Sequence, residues 1–266
     1  MLKCVQRTII VLLALTWGGP SISAADYHKD QAFVDMAKHA VGLLYSQDES
    51  GGMNMRCTAT AFEKIPQGYL FVTAAHCIGA DDTDKERSAS PFKISFFITF
   101  DEAKVEKRFF PATPVWVGYQ SRGEDLAVFS VETKEDWPTL TIGDEKLIVD
   151  GAQYWNIASP LGLGRQVFEG VVSSVYLDRP LVQGDINWQG TLVLQQAGVN
   201  GGSSGSALIH KEQRAIIGFL VGTVGGSTII AIPVSRFTAV NIAVKAGKYK
   251  WWLDQQDVNP DGTPKH

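Results

Sequence analysis

Cysteine is scarce in this chain: 3 residues among 266, alongside 5 histidines. That supply is too thin to complete a zinc site or a cluster, so neither a metal nor any other cofactor is expected. An excess of one charge is missing too. Lys and Arg total 24 against 28 Asp and Glu, a net charge of −4. Without a basic stripe or a polybasic segment, nucleic acid and anionic membrane surfaces are not expected as partners. The apolar run from Thr8 to Trp17 falls short of the roughly 20 residues that span a bilayer. No internal repeat of fixed period occurs. What remains is an ordinary globular composition, 45% hydrophobic and 20% charged, long enough for one large domain or two small ones.

The apolar run has the setting of a secretory signal. Lys3 and Arg7 precede it, Gly18, Gly19 and Pro20 break it, and Ser23-Ala24-Ala25 offers small residues for cleavage. Residues 1–25 are expected to be a signal peptide, cut after Ala25 or, next to it, Ala24; an uncleaved N-terminal anchor is the competing reading. Cys4 lies ahead of the run, not where a lipoprotein cysteine would sit. The mature chain would be secreted or periplasmic, with no stable membrane association. It would keep two cysteines, Cys57 and Cys77. An even pair in an oxidising compartment reads as one disulfide, and two buried free thiols are the alternative.

Asp30 to Leu44 spaces Phe33, Ala37, Ala40, Val41 and Leu44 by threes and fours, which predicts a short helix running into a strand over Ala40–Tyr45. Strand signals dominate from there: Arg56–Phe62, Gly68–Ala74, Phe92–Phe100, Val105–Phe110, Thr113–Tyr119 and Leu126–Val131. After a polar stretch from Glu132 to Val149 they resume at Gln153–Ala158, Arg165–Tyr176, Thr191–Gln195, Ser206–Ile209, Ala215–Val221 and Thr228–Ile232. Short strands punctuated by Gly and Pro predict barrels or a sandwich. Ser235 is placed to cap a final helix reaching Lys245. Asp101 to Lys104 reads as a hairpin tip. Asp81, Asp82 and Asp84 form an acidic loop, more readily solvated than calcium-binding. Trp251-Trp252 is expected to tuck back on the body, and Asp257–His266 to be a polar tail.

Three stretches carry chemistry. Phe71-Val72-Thr73-Ala74-Ala75-His76-Cys77 sets a histidine after an apolar strand, beside a cysteine. Gly123-Glu124-Asp125-Leu126-Ala127-Val128 sets an acid at the entry of another. Gly202-Ser203-Ser204-Gly205-Ser206-Ala207 sets a serine between glycines, which allow close backbone approach and leave N–H groups to converge on one spot. Each alone has a plain structural reading: a core-edge histidine, a turn aspartate, a Gly-Ser turn.

Together they resemble the trypsin-like (chymotrypsin-fold) serine peptidases, over about Val41 to Phe237. The matches are Thr73-Ala74-Ala75-His76-Cys77, Asp125-Leu126-Ala127-Val128 and Gly202-Ser203-Ser204-Gly205-Ser206-Ala207, in the chain order His, Asp, Ser. The Asp-Leu-Ala-Val form and the ending Ala231-Ile232-Pro233 are similar to bacterial exported members, and no PDZ domain is expected.

The resemblance implies an all-β fold of two packed six-stranded antiparallel β-barrels with a short C-terminal helix. Residues 26–135 would hold the N-terminal segment and first barrel, 136–150 the linker, 151–237 the second barrel, and 238–266 the helix and tail. It implies a serine endopeptidase that acts on polypeptides and works as a monomer. Ser204 would be the nucleophile, His76 its base, Asp125 the group that orients the imidazole, and the N–H groups of Gly202 and Ser204 the oxyanion hole. Cys57 would pair with Cys77.

Ser203 stands where many animal members have an aspartate that captures a new amino terminus, so no such insertion is expected here. Gly198 stands where trypsin-like pockets carry an acid. Val221, Gly222 and Thr223 would pair with the substrate backbone, and Thr223 would narrow the pocket. A small or medium apolar residue before the cut is therefore expected. His210 is expected in a surface turn. Two readings compete with the leading one: an inactive barrel of this fold kept as a binding module, and an esterase or other acyl transferase using the same triad.

Overall fold

The computed structural model describes residues 24–48, 50–78, 95–101, 107–118, 123–175, 182–183, 186–187, 190–224 and 226–245. Residues 1–23 of the expected 1–25 signal segment, the acidic loop, most of the 101–104 hairpin tip, and the tail with Trp251 and Trp252 lie outside them.

Helix α1 (Ala24–His39) leads into β1 (Val41–Gln47), followed by β2 (Met53–Ile65), β3 (Gly68–Thr73), β4 (Ser95–Thr99), β5 (Phe110–Val117) and β6 (Ala127–Glu132). These close into an antiparallel barrel in the order β1-β2-β3-β6-β5-β4. Then come β7 (Gln153–Ala158), β8 (Gln166–Ser174), a two-stranded hairpin of β9 (Val182–Gln183) and β10 (Ile186–Asn187), β11 (Leu192–Gln195), β12 (Ala207–His210), β13 (Ile216–Val224) and β14 (Thr228–Pro233). The second barrel closes in the order β11-β14-β13-β12-β7-β8. Helix α2 (Val234–Lys245) follows. The two six-stranded antiparallel barrels and the C-terminal helix expected from the sequence are those observed.

β13 shows how the halves are joined. Ile216 to Val221 are all buried, with no alternation, because both faces of the strand are covered. Ile217 and Leu220 fill the second barrel with Leu208, Ile229 and Ala231. Ile216, Phe219 and Val221 join the cluster that holds Val72, Phe129 and Cys57 of the first barrel. One apolar seam therefore runs from the first core into the interface. Fully burying a side chain such as Phe219 contributes about 1.5–3 kcal/mol.

Both helices cross this seam. Phe237 of α2 packs edge-on against Phe62 and Phe219, each with ring centroids 4.9 Å away. From α1, Phe33 meets Trp155 of β7 at 5.6 Å. Arg165 donates to the carbonyls of Lys38 and Phe100, each at 2.9 Å. The stretch between β6 and β7 bonds to both barrels: Leu140 N–H to Ala61 O at 3.0 Å, and Ile216 N–H to Thr141 O at 2.8 Å.

Three expectations shift in detail. The first helix begins at Ala24 rather than Asp30, since Ala24 to Lys29 contains no Gly or Pro to stop it and starts with the strongest helix former. Val105–Phe110 and Thr113–Tyr119 do not form two strands: residues 107–109 are irregular and one strand, β5, covers Phe110–Val117. Pro111 falls between the two expected strands, yet it pairs opposite Phe97 within β5, and the strand's pairing with β6 is interrupted only by a bulge between Pro114 and Trp116. The last helix starts at Val234, so Ser235 lies inside its first turn instead of capping it.

Candidate active site

β3 and β6 run antiparallel with Thr73 opposite Ala127. The chain leaves β3 into a 3₁₀ turn, Ala75–Ile78, that carries His76, and it enters β6 just after Asp125. The register thus brings the two side chains together. Asp125 Oδ1 accepts the His76 backbone N–H at 2.9 Å, and Oδ2 meets His76 Nδ1 at 2.8 Å. The carboxylate is 1% exposed and the imidazole 31%. A carboxylate only accepts, so the ring proton is assigned to Nδ1, and Nε2 keeps its lone pair.

The loop before β6 is held on three sides. Gly118 N–H donates to Leu126 O at 2.8 Å, and Leu126 N–H to Glu124 O at 2.7 Å. Arg236 of α2 donates to Gly123 O at 2.6 Å. Burial lowers the Arg236 pKa from its ordinary value, and the nearby Glu124 opposes that shift.

Cys57 in β2 and Cys77 beside His76 form a disulfide across a sequence separation of 20 residues, with Cα atoms 6.0 Å apart. It ties the histidine turn to β2. In the chain-entropy account a loop of this length contributes about 3 kcal/mol. Reduction is expected to lower stability by that order, read as a fall in the urea midpoint with dithiothreitol. An unchanged midpoint would contradict it.

Ser204 lies in the loop between β11 and β12, where each carbonyl from Gly201 to Ser204 is engaged. Gly201 O accepts from Leu161 N–H at 2.7 Å, Ser203 O from Ser206 N–H at 3.2 Å, and Ser204 O from Thr58 N–H at 3.0 Å. Gly202 O accepts from Thr58 Oγ1 at 2.8 Å. In a trans peptide the N–H points opposite to its C=O, so these bonds also aim the amides. Ser203 N–H reaches Asn200 O at 3.0 Å, and Gly205 N–H reaches Leu220 O at 2.7 Å. The amides of Gly202 and Ser204 donate to no acceptor among the described residues. Two unused donors beside one serine can receive a negatively charged oxygen.

Gly202 and Gly205 adopt φ of +95° and +81°, the left-handed region that favours glycine. A Cβ on Gly205 would meet Thr73 Oγ1 and come within 2.5 Å of Thr58 O and 2.7 Å of Ala74 N. That contact sets the serine loop against the end of β3, two residues before His76.

The remaining sequence-predicted residues fall around this centre. Ser203 is buried, and its hydroxyl accepts from Asn200 N–H at 3.5 Å. Val221 is buried, Gly222 half-buried and Thr223 exposed. β12 pairs with β13 only as far as Phe219, and beyond Leu220 no strand pairs that edge among the described residues. Gly198 is exposed, and a Cβ there would lie 2.6 Å from the Phe168 ring. His210 ends β12, and its Nδ1 accepts from Gln213 N–H at 3.2 Å, within a turn.

Sequence reasoning missed Thr58, Leu161 and Phe168. Leu161 carried a faint signal, an apolar residue amid Pro160, Gly162 and Gly164. It takes φ +56° and is 67% exposed, while its N–H holds Gly201. Cys57, His76 and Cys77 bring potential metal-ligand atoms within 4.8 Å of one another, but the two sulfurs are bonded to each other and His76 Nδ1 is bound to Asp125.

Comparison with known proteins agrees with this fold. A trypsin-like peptidase domain matches residues 59–219. The HtrA-type protease AlgW, solved with a tripeptide, superposes with a TM-score of 0.61 at 21% identity, covering 82% of this chain and 64% of that one. This chain therefore spans just under two thirds of that AlgW chain. Deg5 superposes with a TM-score of 0.62 at 18% identity, covering 85% of this chain and 98% of its own. At these identities the likeness is one of fold.

Proposed function

The chain belongs to the trypsin-like peptidase family, and on that premise we propose that it is an exported serine endopeptidase working through Ser204, His76 and Asp125. The observation that carries this reading is the pair of unused amides at Gly202 and Ser204, in a loop whose carbonyls from Gly201 to Ser204 are all engaged.

Ser204 Oγ attacks the scissile carbonyl carbon while its proton passes to His76 Nε2. Asp125 keeps Nδ1 protonated and stabilises the imidazolium. The carbonyl oxygen becomes an oxyanion and accepts from the Gly202 and Ser204 N–H groups. The C–N bond then breaks, and the Nε2 proton leaves with the amine. Water repeats the cycle on the acyl-enzyme. Removing one such oxyanion donor typically costs about 2.7–4 kcal/mol of transition-state stabilisation.

The substrate strand lies along the open edge of Val221–Thr223 as an added strand. With no acid at Gly198 and an exposed Thr223 side chain at the rim, a small or medium apolar residue before the cut fits best. Buried Ser203 offers no carboxylate to a new amino terminus, so activity does not depend on one. Export is supported by the signal-like N-terminus and by the disulfide. No helix among the described residues is long and apolar enough to cross a membrane.

The test is labelling of the oxidised full chain with a fluorophosphonate, followed by peptide mapping. One label per chain, on Ser204, is expected. A folded, disulfide-closed protein that takes no label would replace this reading with an inactive barrel that binds.

A further inference from the structure

We propose that Thr58 is the positioning residue of the oxyanion loop: one buried side chain of the first barrel fixes the amides of the second. The inference rests on the peptidase reading above. Thr58 lies in β2 and is fully buried, and all of its polar groups are used. Its N–H donates to Ser204 O at 3.0 Å. Its carbonyl accepts from Thr73 Oγ1 at 2.8 Å. Its hydroxyl accepts from Ser159 N–H at 3.0 Å and donates to Gly202 O at 2.8 Å.

The directions of these bonds are forced. Ser159 N–H can only donate, so it takes a lone pair of Oγ1, and the single hydroxyl proton is left for Gly202 O. β-Branching restricts χ1, so the oxygen is held where both bonds form. The partners lie 101 and 144 residues away along the chain, and Leu161, two residues past Ser159, holds the Gly201 carbonyl. Thr58 thus joins the two segments that grip the peptides on either side of Gly202.

Without the hydroxyl, Gly202 O and Ser159 N–H would be buried without partners. Glycine at 202 has other backbone conformations within reach, so the Gly202–Ser203 peptide would turn to find one. That rotation pulls the Ser203 N–H of the same peptide off Asn200 O, and the freed Ser159 loosens the turn in which Leu161 N–H holds Gly201 O, whose peptide bears the Gly202 N–H, so that donor swings away from the developing oxyanion. The substrate edge at Val221–Thr223 is untouched, so the loss falls on the chemical step and not on binding.

The experiment uses the full chain with an N-acyl-alanine p-nitrophenyl ester as substrate and a peptide boronate as transition-state mimic. Thr58→Val keeps the shape and removes the hydroxyl; Thr58→Ser keeps the hydroxyl. Thr58→Val is expected to lower kcat about 10- to 100-fold, the scale of a small misplacement of a catalytic group. KM should stay within about 3-fold, and boronate affinity should fall in parallel with kcat. Thr58→Ser should stay within about 3-fold of the parent in every parameter. Should Thr58→Val not fold, Thr58→Ala is read the same way. A parent that turns over beside an unchanged Thr58→Val overturns the proposal. So does a loss confined to KM, or an equal loss in Thr58→Ser. A parent that neither turns over nor labels overturns the peptidase reading itself.

Discussion

Asp125→Asn is expected to lower kcat by about 10⁴-fold, the scale known for this triad, with KM and melting temperature little changed. The size follows from which atom faces which. Asp125 Oδ1 receives the His76 backbone N–H and Oδ2 faces Nδ1. The backbone group is a fixed donor, so the asparagine oxygen must take that side. Its NH₂ then faces Nδ1, and two donors cannot meet there. The ring must move its proton to Nε2, where it can no longer accept one from Ser204. The side chain keeps its volume in a site that is 1% exposed, so packing survives while the base is lost. Steady-state kinetics beside a thermal melt would check this. A fall of less than tenfold in a variant that melts normally would show that Asp125 does not set the tautomer.

Gly205→Ala is expected to destabilise the protein strongly. Its φ of +81° costs an L-residue about 1–2 kcal/mol. Its Cβ would press on backbone, namely Thr58 O at 2.5 Å and Ala74 N at 2.7 Å. Forced overpacking adds about 1–3 kcal/mol, more where backbone must shift. A total loss of about 3–5 kcal/mol is expected in urea unfolding. Fluorophosphonate labelling should be lost as well, because the clash pushes the serine loop off the end of β3. A variant with an unchanged urea midpoint would mean that the loop relaxes without cost, and that the two barrels are not held in contact at this point.

The parts of the site that were legible in the sequence are those whose signal is local. His76 follows an apolar strand and adjoins a cysteine, Asp125 opens another strand, and Ser204 sits among glycines required by positive φ. The strands of the second barrel were legible because Gly and Pro bound them. Thr58 was not, because Cys57-Thr58-Ala59-Thr60 reads as any strand and its hydroxyl meets Gly202 only through a contact 144 residues away. Phe168 was hidden likewise, as one aromatic in a long strand facing a glycine from another loop. β5 misled through Pro111, which falls between the two expected strands yet pairs with β4 opposite Phe97. The start of α1 was obscured by small residues that also suit a cleavage site. For Thr58 and Phe168 the missing information is a partner distant in sequence.

The seam between the barrels has a consequence for how the protein comes into being. Asp125 and His76 belong to the half made first, and Ser204 to the half made last. Neither half can cover the apolar face of β13 and its partners without the other, so the proposed hydrolytic centre arises only when both halves have come together. Newly made, incompletely folded copies contain every residue that cutting needs, yet they lack the means to cut their neighbours. The same division makes bond cleavage a stringent reporter of the native state, silent in any half-formed intermediate.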